Sequence, residues 1–391
     1  MLPFNEALQL VCSSIKPMEK ENVSLPQALN RILAEDIISG IAMPPFNKSA
    51  MDGFACRKVD LDNTLDIIGE IAAGTTFRQS IGENQCVRIM TGAMVPEGAD
   101  FVLMKEHAKE ISPLKICRAK ESTAANICLT GEDVKVGDIV LFSGKKILPA
   151  DIAMLASVGH TIPMVYKIPR VAIISTGSEL VEPDETPAIS QIRNSNGIQL
   201  VAQSMQLGIL ASYLGIVPDD ETQLETVISD ALENYDVVII SGGVSVGDYD
   251  HVPKILQKLE VKTLFHGMNV KPGKHLLFGK RNSTFVFGMP GNPVSSFVQF
   301  EILVKPLLYS LMGLTESIKP YYLPLEDTYH RKKSDTLSLI PVSFTEQGTA
   351  KPLDYHGSAH IHAYTKAHGI MEMEVGKTEL KKGEIVRVRP L

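Results

Sequence analysis

The chain has 391 residues, of which 44% are hydrophobic and 21% are charged. This composition is typical of a globular protein of several domains and excludes a collagen-like, disordered or disulfide-scaffold chain. The formal net charge is −7, there is no Trp, and aromatic residues make up only 6%. An acidic chain without a basic block is not expected to bind nucleic acid or an anionic membrane nonspecifically.

The sequence also bears on where the protein works. Residues 1–20 lack a basic leader, and no uninterrupted apolar run approaches about 20 residues, so neither a signal peptide nor a transmembrane helix is predicted. The five cysteines are odd in number, widely spaced and form no CxxC pair: Cys12, Cys56, Cys86, Cys117 and Cys128. They favour free thiols in a reducing cytoplasm over a disulfide framework or a zinc site.

The first 160 residues alternate between two kinds of pattern. Residues 1–40 have helical periodicity, including a stretch over residues 25–34, and this pattern returns at residues 147–160. Residues 41–140 contain glycines and short β-type runs instead. We therefore expect a helical linking region from residues 1–40 and 141–169, with a β-rich domain over residues 41–140 inserted into it.

The second half of the chain has the clearest pattern. Between residues 170 and 316, apolar strands alternate with amphipathic helices, which predicts a central, doubly wound, mostly parallel sheet covered on both faces. Residues 317–391 show short β runs without a helical period and predict a C-terminal β-barrel. The predicted fold class is a multidomain α/β protein.

Three turns that follow apolar strands are rich in Gly, Ser and Pro. Ligands bind at the carboxyl edge of open α/β sheets, where these turns are expected to lie. In the third turn, Asn292 and Pro293 fit a helix start, whose N–H groups favour an anion. Each turn alone is equally well explained as an ordinary loop. The segments are VAIISTGSEL (171–180), VVIISGGVSVGDYD (237–250) and FVFGMPGNPVSSF (285–297).

Charged residues near these turns favour a phosphate site with a divalent cation. Glu179, Asp248 and Asp250 supply carboxylates, and Mg²⁺ usually bridges one or two protein carboxylates to substrate phosphates. The turn VKPGKH adds Lys271 and Lys274, which either are solvated or clamp a phosphate or oxyanion.

Polar residues in the inserted domain form a second group of candidates. Asp52 lies in the apolar segment MPPFNKSAMDGFA and is either a turn aspartate or a base or metal ligand with a shifted pKa. Thr91 and Asp133 lie in glycine-bounded turns, which are also explained by hairpin geometry. Four histidines gather near the C-terminus, where surface histidines are favoured over a metal site: His356, His360, His362 and His368.

Seven of these segments resemble, in order, the motifs of the molybdopterin molybdenumtransferase family. These are the MoeA-type enzymes of molybdenum-cofactor synthesis, similar to the C-terminal region of gephyrin. The resemblance covers essentially the whole chain. It implies an elongated homodimer of four-region subunits that uses Mg²⁺ to cleave adenylylated molybdopterin, releases AMP and transfers molybdenum from molybdate. The matching segments are PPFNKSAMDGFA, RIMTGAMVPEGAD, GEDV, ISTGSEL, SGGVSVGDYD, VKPGK and MPGNPVSSF.

The resemblance also implies roles for single residues. In the α/β domain it places Glu179 and Asp250 near Mg²⁺ and the phosphate, has Gly242, Gly243 and Ser245 cradle the pterin phosphate, and makes Lys271, Lys274 and Ser295 ligands of molybdate or phosphate. In the inserted domain, Asp52, Thr91 and Asp133 reach the site across the dimer. Asp52 is then the candidate catalytic acid or base, or a second metal contact.

The chain departs from the family pattern near its C-terminus. After Gly357 and Ser358 the family has a Ser-Leu pair, where this chain has His362, Ala363 and Tyr364, and Arg331 is a candidate substitute ligand. Two alternative functions stay open at this point. One is an adenylyltransferase that loads AMP onto molybdopterin, and the other is a non-catalytic scaffold that binds the cofactor.

Overall fold

The computed structural model describes six stretches of the chain: residues 1–13, 15–121, 123–244, 251–314, 319–355 and 357–391. The chain divides into two compact units. The first unit comprises Met1–Glu35, Gly144–Pro149 and Ile162–Leu391, and the second comprises Asp36–Ser143 and Ala150–Thr161. Most of the second unit is thus one continuous segment between two parts of the first.

Helices and strands are distributed along the whole chain. The helices are α1 (Phe4–Cys12), α2 (Leu25–Ala28), α3 (Pro149–Ser157), α4 (Ser195–Gln206), α5 (Glu221–Asn234), α6 (Val252–Lys258), α7 (Pro293–Gln299) and α8 (Lys305–Leu311), with 3₁₀ turns at Lys58–Asp60, Lys105–His107 and Ile361–Lys366 and a π-helical turn at Phe300–Val304. The first twelve strands are β1 (Lys20–Asn22), β2 (Ile37–Ile38), β3 (Lys48–Ser49), β4 (Gly53–Cys56), β5 (Leu65–Ile71), β6 (Gln85–Ile89), β7 (Phe101–Met104), β8 (Ala108–Ser112), β9 (Lys115–Arg118), β10 (Ile127–Cys128), β11 (Ile139–Leu141) and β12 (Met164–Tyr166). The remaining strands are β13 (Val171–Thr176), β14 (Leu180–Val181), β15 (Ile192–Arg193), β16 (Ser212–Val217), β17 (Val237–Ser241), β18 (Lys262–His266), β19 (Val270–Lys271), β20 (Leu277–Arg281), β21 (Thr284–Met289), β22 (Tyr321–Pro324), β23 (Tyr329–His330), β24 (Leu337–Phe344), β25 (Ala350–Pro352), β26 (Gly369–Met373), β27 (Glu379–Leu380) and β28 (Ile385–Pro390).

The first unit is built on a six-stranded sheet with the order β16-β13-β17-β21-β20-β18. The first four strands run parallel, while β20 is antiparallel to both of its neighbours. Strands β13 and β17 are buried along their whole length, which explains why each begins with four consecutive apolar residues. The mixed α/β multidomain fold expected from the sequence is confirmed.

Helices pack on both faces of this sheet. Ile173 of β13 faces α4 and α7, and the next residue, Ile174, faces α5 and α6, because successive strand side chains point to opposite faces. On the second face, Leu224 and Ile228 lie one turn apart on α5 and are buried. Full burial of each such side chain contributes roughly 1.5–3 kcal/mol to the stability of the fold. The helix layers on both faces therefore stabilise the sheet.

A second six-stranded sheet forms the C-terminal part of the first unit. Its order is β19-β24-β26-β28-β22, and β25 also pairs with β24. Strand β19 belongs to the segment that connects two strands of the central sheet, and it pairs in parallel with β24. The segment carrying Lys271 therefore lies between the two sheets.

The second unit is mostly β structure. Its main sheet has the order β7-β4-β6-β5-β9-β8, and two further strand pairs, β3 with β10 and β2 with β11, complete it. Phe54, Phe101 and Leu103 are fully or almost fully buried between its strands. All five cysteines of the chain are free thiols, and burial raises the pKa of Cys56 and Cys86 to about 12.

The helical stretch expected at residues 25–34 is wrong in its extent. The helix there is only Leu25–Ala28. Asn30 has a φ of 65°, which ends the helix, and Ile32 and Leu33 then form antiparallel bridges with Lys146 and Val165. Pairing with distant segments overrides the local helical period here.

One helix is longer and more apolar than the sequence analysis indicated. Helices α7 and α8 and the π turn between them form a continuous helix, Pro293–Leu311, of 19 residues. Its length and composition would allow it to cross a membrane, but 72% of its most apolar window is buried inside the structure. That burial is the pattern of a core helix in a globular protein.

Candidate functional site

The three turns singled out in the sequence share one cavity of about 1330 Å³ in the first unit. Its walls include Thr176, Gly177 and Glu179 after β13, Ser241–Val244 after β17, and Pro290–Pro293 with Ser295 after β21. Parallel strands end at one edge of a sheet, which is why these turns meet. The segment from Val270 to His275 and residues of the C-terminal sheet line the other side.

A buried amide connects the second and third turns. The Asn196 side-chain nitrogen donates to the Ser241 hydroxyl at 2.9 Å and to the Gly291 carbonyl at 2.8 Å. Asn196 lies in the first turn of α4, which begins after Asn194, whose side chain accepts from the Gly197 N–H at 3.1 Å. Asn196 was not among the residues predicted from the sequence, although Asn-Ser-Asn before an apolar helix is a typical helix start.

The first turn is held by a second residue that the sequence analysis missed. Asp219 accepts hydrogen bonds from the Thr176 hydroxyl at 2.9 Å and from the Ser178 N–H at 3.1 Å. The nearby Glu179 side chain is exposed and, among the described residues, has no hydrogen-bond or ion-pair partner. Of the two carboxylates, Glu179 is the one available to a ligand.

The second turn requires glycine. Gly242 has a φ of 100°, and a Cβ there would lie 2.2 Å from the Thr176 carbonyl oxygen. Its N–H donates to the Met289 carbonyl at 3.0 Å, so the backbone of this turn packs against both neighbouring strands. Gly243 follows with a φ of 62° and also lines the cavity. The predicted site residues Ser245 and Asp250, like Asp248, lie outside the described residues.

The third turn presents backbone donors to the cavity. The N–H of Val294 donates to the Ser358 carbonyl at 3.0 Å. In the part of the chain that the structure describes, the N–H groups of Gly291, Asn292 and Ser295 have no acceptor. They lie at the N-terminus of the 19-residue helix, where the helix dipole favours negative charge. The turn can therefore bind an anion.

Two lysines add charge to the same cavity. Lys271 and Lys274 are exposed, line the cavity and have no ion-pair or hydrogen-bond partner for their ammonium groups within the described ranges. The segment between them is closed at its base, where the Met268 N–H donates to the Lys274 carbonyl at 2.9 Å. Backbone N–H groups neutralise an anion only partly, so free ammonium groups beside them strengthen the site.

Arg331 was expected to be a substitute ligand, and four of its five N–H donors bind groups within the protein. Its Nε donates to the Lys377 carbonyl at 2.7 Å, and Nη1 donates to the Thr336 carbonyl and the Ser338 hydroxyl, both at 2.6 Å. Nη2 donates to the Glu374 carbonyl. Burial lowers the pKa of Arg331. Its side chain fixes the loops of the C-terminal sheet beside the cavity.

Three of the four C-terminal histidines, His360, His362 and His368, lie within the described residues. Among the described residues, no group of three or more His, Cys, Asp or Glu side chains could hold a metal ion. The His368 Nδ1 accepts from the Phe344 N–H at 2.9 Å, and His356 lies outside the described residues. For His368 the structure thus gives a structural role.

The charged groups of the cavity have an excess of cations. The chain as a whole is acidic, with a net charge of −7. An excess of cationic side chains around the cavity gives a local positive potential, which attracts anionic ligands. The described cations of the lining are Arg193, Lys271, Lys274, Arg331, Lys332 and Lys333, and the described acids are Glu179, Asp219 and Asp335.

In the second unit, Asp52 is bound tightly by Thr91. Its Oδ1 accepts from the Thr91 hydroxyl at 2.6 Å and from the Thr91 N–H at 2.7 Å. These two bonds, with a smaller effect of Lys105, hold the Asp52 pKa below its usual range. The exposed carboxylate is therefore ionised at neutral pH, which favours a role as metal ligand or base over a role as acid.

The three motifs of the second unit lie side by side. The Met43 N–H donates to the Val134 carbonyl at 2.7 Å, and the Gly92 N–H donates to the Ser49 carbonyl at 2.8 Å. Asp133, in the third motif, is exposed, and its N–H donates to the Met43 carbonyl at 3.0 Å. Segments distant in sequence thus present Asp52, Thr91 and Asp133 from one group of connected loops.

Comparisons with known proteins agree with this architecture. A family model of the MoeA N-terminal region (domains I and II) matches residues 2–159, and a model of a probable molybdopterin-binding domain matches residues 172–310. Molybdopterin molybdenumtransferases from Staphylococcus aureus (strain Mu50) and Staphylococcus epidermidis (strain ATCC 35984) are each 34% identical over 398 aligned residues, covering 99% of this chain and 95% of the relative.

A solved structure covers the whole chain. The molybdopterin biosynthesis moeA protein from Pyrococcus horikoshii OT3 is 30% identical and superposes with a TM-score of 0.84 over 100% of both chains. A molybdenum cofactor biosynthesis protein from Pyrococcus furiosus, 22% identical with a TM-score of 0.64, shares the fold. With two matching family models and relatives aligned over nearly its full length, the chain belongs to the molybdopterin molybdenumtransferase (MoeA) family.

Proposed function

We propose that the protein transfers molybdenum from molybdate to adenylylated molybdopterin in a Mg²⁺-dependent reaction that releases AMP and forms molybdenum cofactor. One observation carries the proposal: all three sheet-edge turns line one cavity together with Lys271 and Lys274, and these lysines and the N–H groups of the third turn have no partners among the described residues. Membership of the MoeA family, whose relatives are named molybdopterin molybdenumtransferases, supports it.

The cavity suits a phosphoanhydride. Breaking the bond between the pterin phosphate and AMP leaves negative charge on the departing phosphate oxygens. The Gly291, Asn292 and Ser295 N–H groups and the Lys271 and Lys274 ammonium groups can stabilise that charge by donating hydrogen bonds. Preorganised donors of this kind stabilise a transition state more than water does.

Molybdate fits the same set of groups. It is a dianion, and Ser295, 3% exposed at the helix start, offers both a hydroxyl and an N–H beside the two lysines. Oxyanions are bound well by several converging donors together with cationic charge. We assign the cradle of the pterin phosphate to Gly242, Gly243, Ser245 and the Asn292 turn, and molybdate to the lysine side.

Mg²⁺ is proposed to bind at Glu179. Its exposed carboxylate at the cavity wall has no partner among the described residues and is the hard oxygen ligand that Mg²⁺ prefers. One or two protein carboxylates suffice when phosphates complete the shell. Asp250 would be the second ligand. When bound, the ion supplies positive charge to the phosphoanhydride oxygens.

The organisation of the active protein is also proposed. We propose a cytoplasmic homodimer of four-region subunits, with a doubly wound molybdopterin-binding domain and a C-terminal sheet that closes into a barrel. In this arrangement one subunit supplies Asp52, Thr91 and Asp133 to the cavity of its partner. The ionised, exposed Asp52 supports a contact with a cationic or proton-bearing partner there.

The central experiment measures the release of AMP. The purified protein is incubated with adenylylated molybdopterin, and released AMP is quantified by chromatography with and without Mg²⁺ and molybdate. We expect AMP only when both are present. Accumulation of adenylylated molybdopterin from molybdopterin and MgATP would instead identify an adenylyltransferase, and tight pterin binding without AMP release would identify a scaffold.

A mixing experiment tests the shared site. Asp52→Asn and Lys271→Met are each expected to be inactive alone. If Asp52 acts in the partner's cavity, each mixed dimer regains one intact site of two, so full subunit exchange restores about one quarter of wild-type activity. If no activity returns although mixed dimers are shown to form, Asp52 does not act across the dimer.

A further inference from the structure

The turn that carries Lys271 and Lys274 is hydrogen-bonded to the buried side-chain amide of Gln299. Gln299 is fully buried at the end of α7. Its side-chain nitrogen donates to the carbonyl of Gly273, which lies between Lys271 and Lys274. Among the described residues, this is the one hydrogen bond made by the Pro272–Gly273 backbone.

The contact is too close for any other residue at the turn. Gly273 has a φ of 95°, and a Cβ there would lie 2.3 Å from the Gln299 side-chain nitrogen and 2.9 Å from its Cγ and Cδ. The Gln299 side chain therefore packs directly against the Gly273 backbone. Both the left-handed conformation and the close approach require glycine.

The Gln299 amide also has a destabilising feature. The Gln299 side-chain oxygen is buried without a hydrogen-bond partner in the described structure. An apolar side chain of similar volume would remove this unsatisfied oxygen, but it would leave the Gly273 carbonyl without its donor. Compared with an apolar side chain, the Gln299 amide adds the hydrogen bond to the Gly273 carbonyl.

The same helix also fixes the anion-binding turn. Ser295 and Gln299 are four residues apart, so they lie on one face of α7, with Ser295 at the cavity and Gln299 one turn below. The helix changes to a π-helical turn directly after Gln299, at Phe300–Val304. Helix α7 thus carries both the N–H donors of the anion-binding turn and the Gln299 amide that binds the lysine turn.

We propose that Gln299 is a positioning residue for the molybdate site, because it holds the Lys271–Lys274 turn at a fixed distance from the Ser295 end of α7. This inference rests on the proposed function, since it assigns molybdate to the lysines. Removal of the amide nitrogen should let the turn move while the lysines themselves stay in the sequence. Misplacement of a binding group by about 1 Å can cost as much as 10²-fold in rate.

The test compares two replacements of similar shape. Gln299→Met fills the space without a donor and is expected to raise the KM for molybdate about tenfold, while the KM for adenylylated molybdopterin changes little. Gln299→Glu is neutral while buried, because burial raises a carboxyl pKa, and its O–H can then donate to Gly273. It should match wild type at pH 6 and resemble Gln299→Met as the pH rises.

A control and a second readout separate the possible failures. Gln203 is also buried, and its side-chain nitrogen donates to Glu301 at 2.8 Å and to the Phe297 carbonyl of α7 at 3.3 Å instead of to the turn. Gln203→Leu should leave the KM for molybdate unchanged. Hydrogen exchange of the peptide covering residues 268–276 should accelerate in Gln299→Met and not in Gln203→Leu, whether or not the protein transfers molybdenum.

The outcomes are distinct. Faster exchange together with a raised KM for molybdate supports the positioning role. Unchanged exchange in Gln299→Met, an unchanged KM, or the same effects in Gln203→Leu would overturn it. If the wild-type protein releases no AMP in the presence of molybdate, the proposed function fails, and the exchange data alone then decide whether Gln299 holds the turn.

Discussion

Thr91 donates both of its available hydrogen bonds to one oxygen of Asp52, from its N–H at 2.7 Å and from its hydroxyl at 2.6 Å. Hydrogen bonds to a carboxylate stabilise its charged form, and they lower the Asp52 pKa here although the side chain is exposed. Thr91 thus stabilises the charged form of Asp52.

The pH dependence of AMP release should report this pair. Thr91→Val removes the hydroxyl and keeps the N–H, so the Asp52 pKa is expected to rise part of the way to its usual value. Because the active form is the carboxylate, the acid limb of the pH–rate profile should move to higher pH. Thr91→Ser keeps the hydroxyl and should retain the wild-type profile. An acid limb that does not move in Thr91→Val would separate Asp52 from the rate-determining ionisation.

Neutralising Asp52 itself should affect turnover more than structure. Asp52→Asn retains the shape of the side chain, and the site is exposed, so we expect no change in the unfolding curve. AMP release should fall about 10²-fold or more if the carboxylate acts as a base or metal ligand. Binding of adenylylated molybdopterin, measured by fluorescence titration, should persist. Unchanged AMP release would remove Asp52 from the mechanism.

Glu179 should determine the Mg²⁺ requirement. Glu179→Gln removes the negative charge of a carboxylate that has no partner among the described residues, so the Mg²⁺ concentration for half-maximal AMP release should increase about tenfold. Glu185→Gln, at another exposed carboxylate six residues along the chain, is the matched control and should behave like wild type. Equal Mg²⁺ requirements in the two variants would place the metal elsewhere.

The amide of Asn196 is expected to matter for both stability and binding. Asn196→Ala leaves the Ser241 hydroxyl and the Gly291 carbonyl without their donor, and a lost buried hydrogen bond of this kind costs roughly 1–3 kcal/mol. Urea unfolding should show this loss, and the KM for adenylylated molybdopterin should rise because two turns are no longer connected. Asn234→Ala removes a local helix contact to Asp230 and is the control. If both variants bind the pterin equally well, Asn196 does not organise the cavity.

Local patterns predicted much of the framework. The unbroken apolar runs at β13 and β17 indicated buried parallel strands, and parallel strands carry their following turns to one edge of the sheet. The cavity at that edge follows from the topology, so Gly242 and Asn292 could be selected as candidates before any coordinates. The residue types that favour these turns lie within a few residues of one another in the sequence.

The parts that could not be predicted depend on contacts between distant segments. Asn196 reaches Ser241 and Gly291 across separations of 45 and 95 residues, and no local pattern records such a bond. The contacts of Arg331 could not be predicted for the same reason, since the carbonyls of Lys377 and Glu374 that accept from it come from a segment more than 40 residues away. The hydrogen bonds that lower the Asp52 pKa likewise come from Thr91, 39 residues along the chain.

Gly242 offers the sharpest test of how closely the second turn packs. Alanine there must adopt a φ of 100° and place its Cβ 2.2 Å from the Thr176 carbonyl oxygen. The left-handed backbone alone costs roughly 1–2 kcal/mol, and the clash should bring the total loss to about 4 kcal/mol, measured from urea unfolding. Gly215→Ala separates the two effects, because Gly215 has a φ of 89° with no atom within 4 Å of the added Cβ. It should lose only the backbone part, and equal losses in the two variants would show that the turn can move away from Thr176.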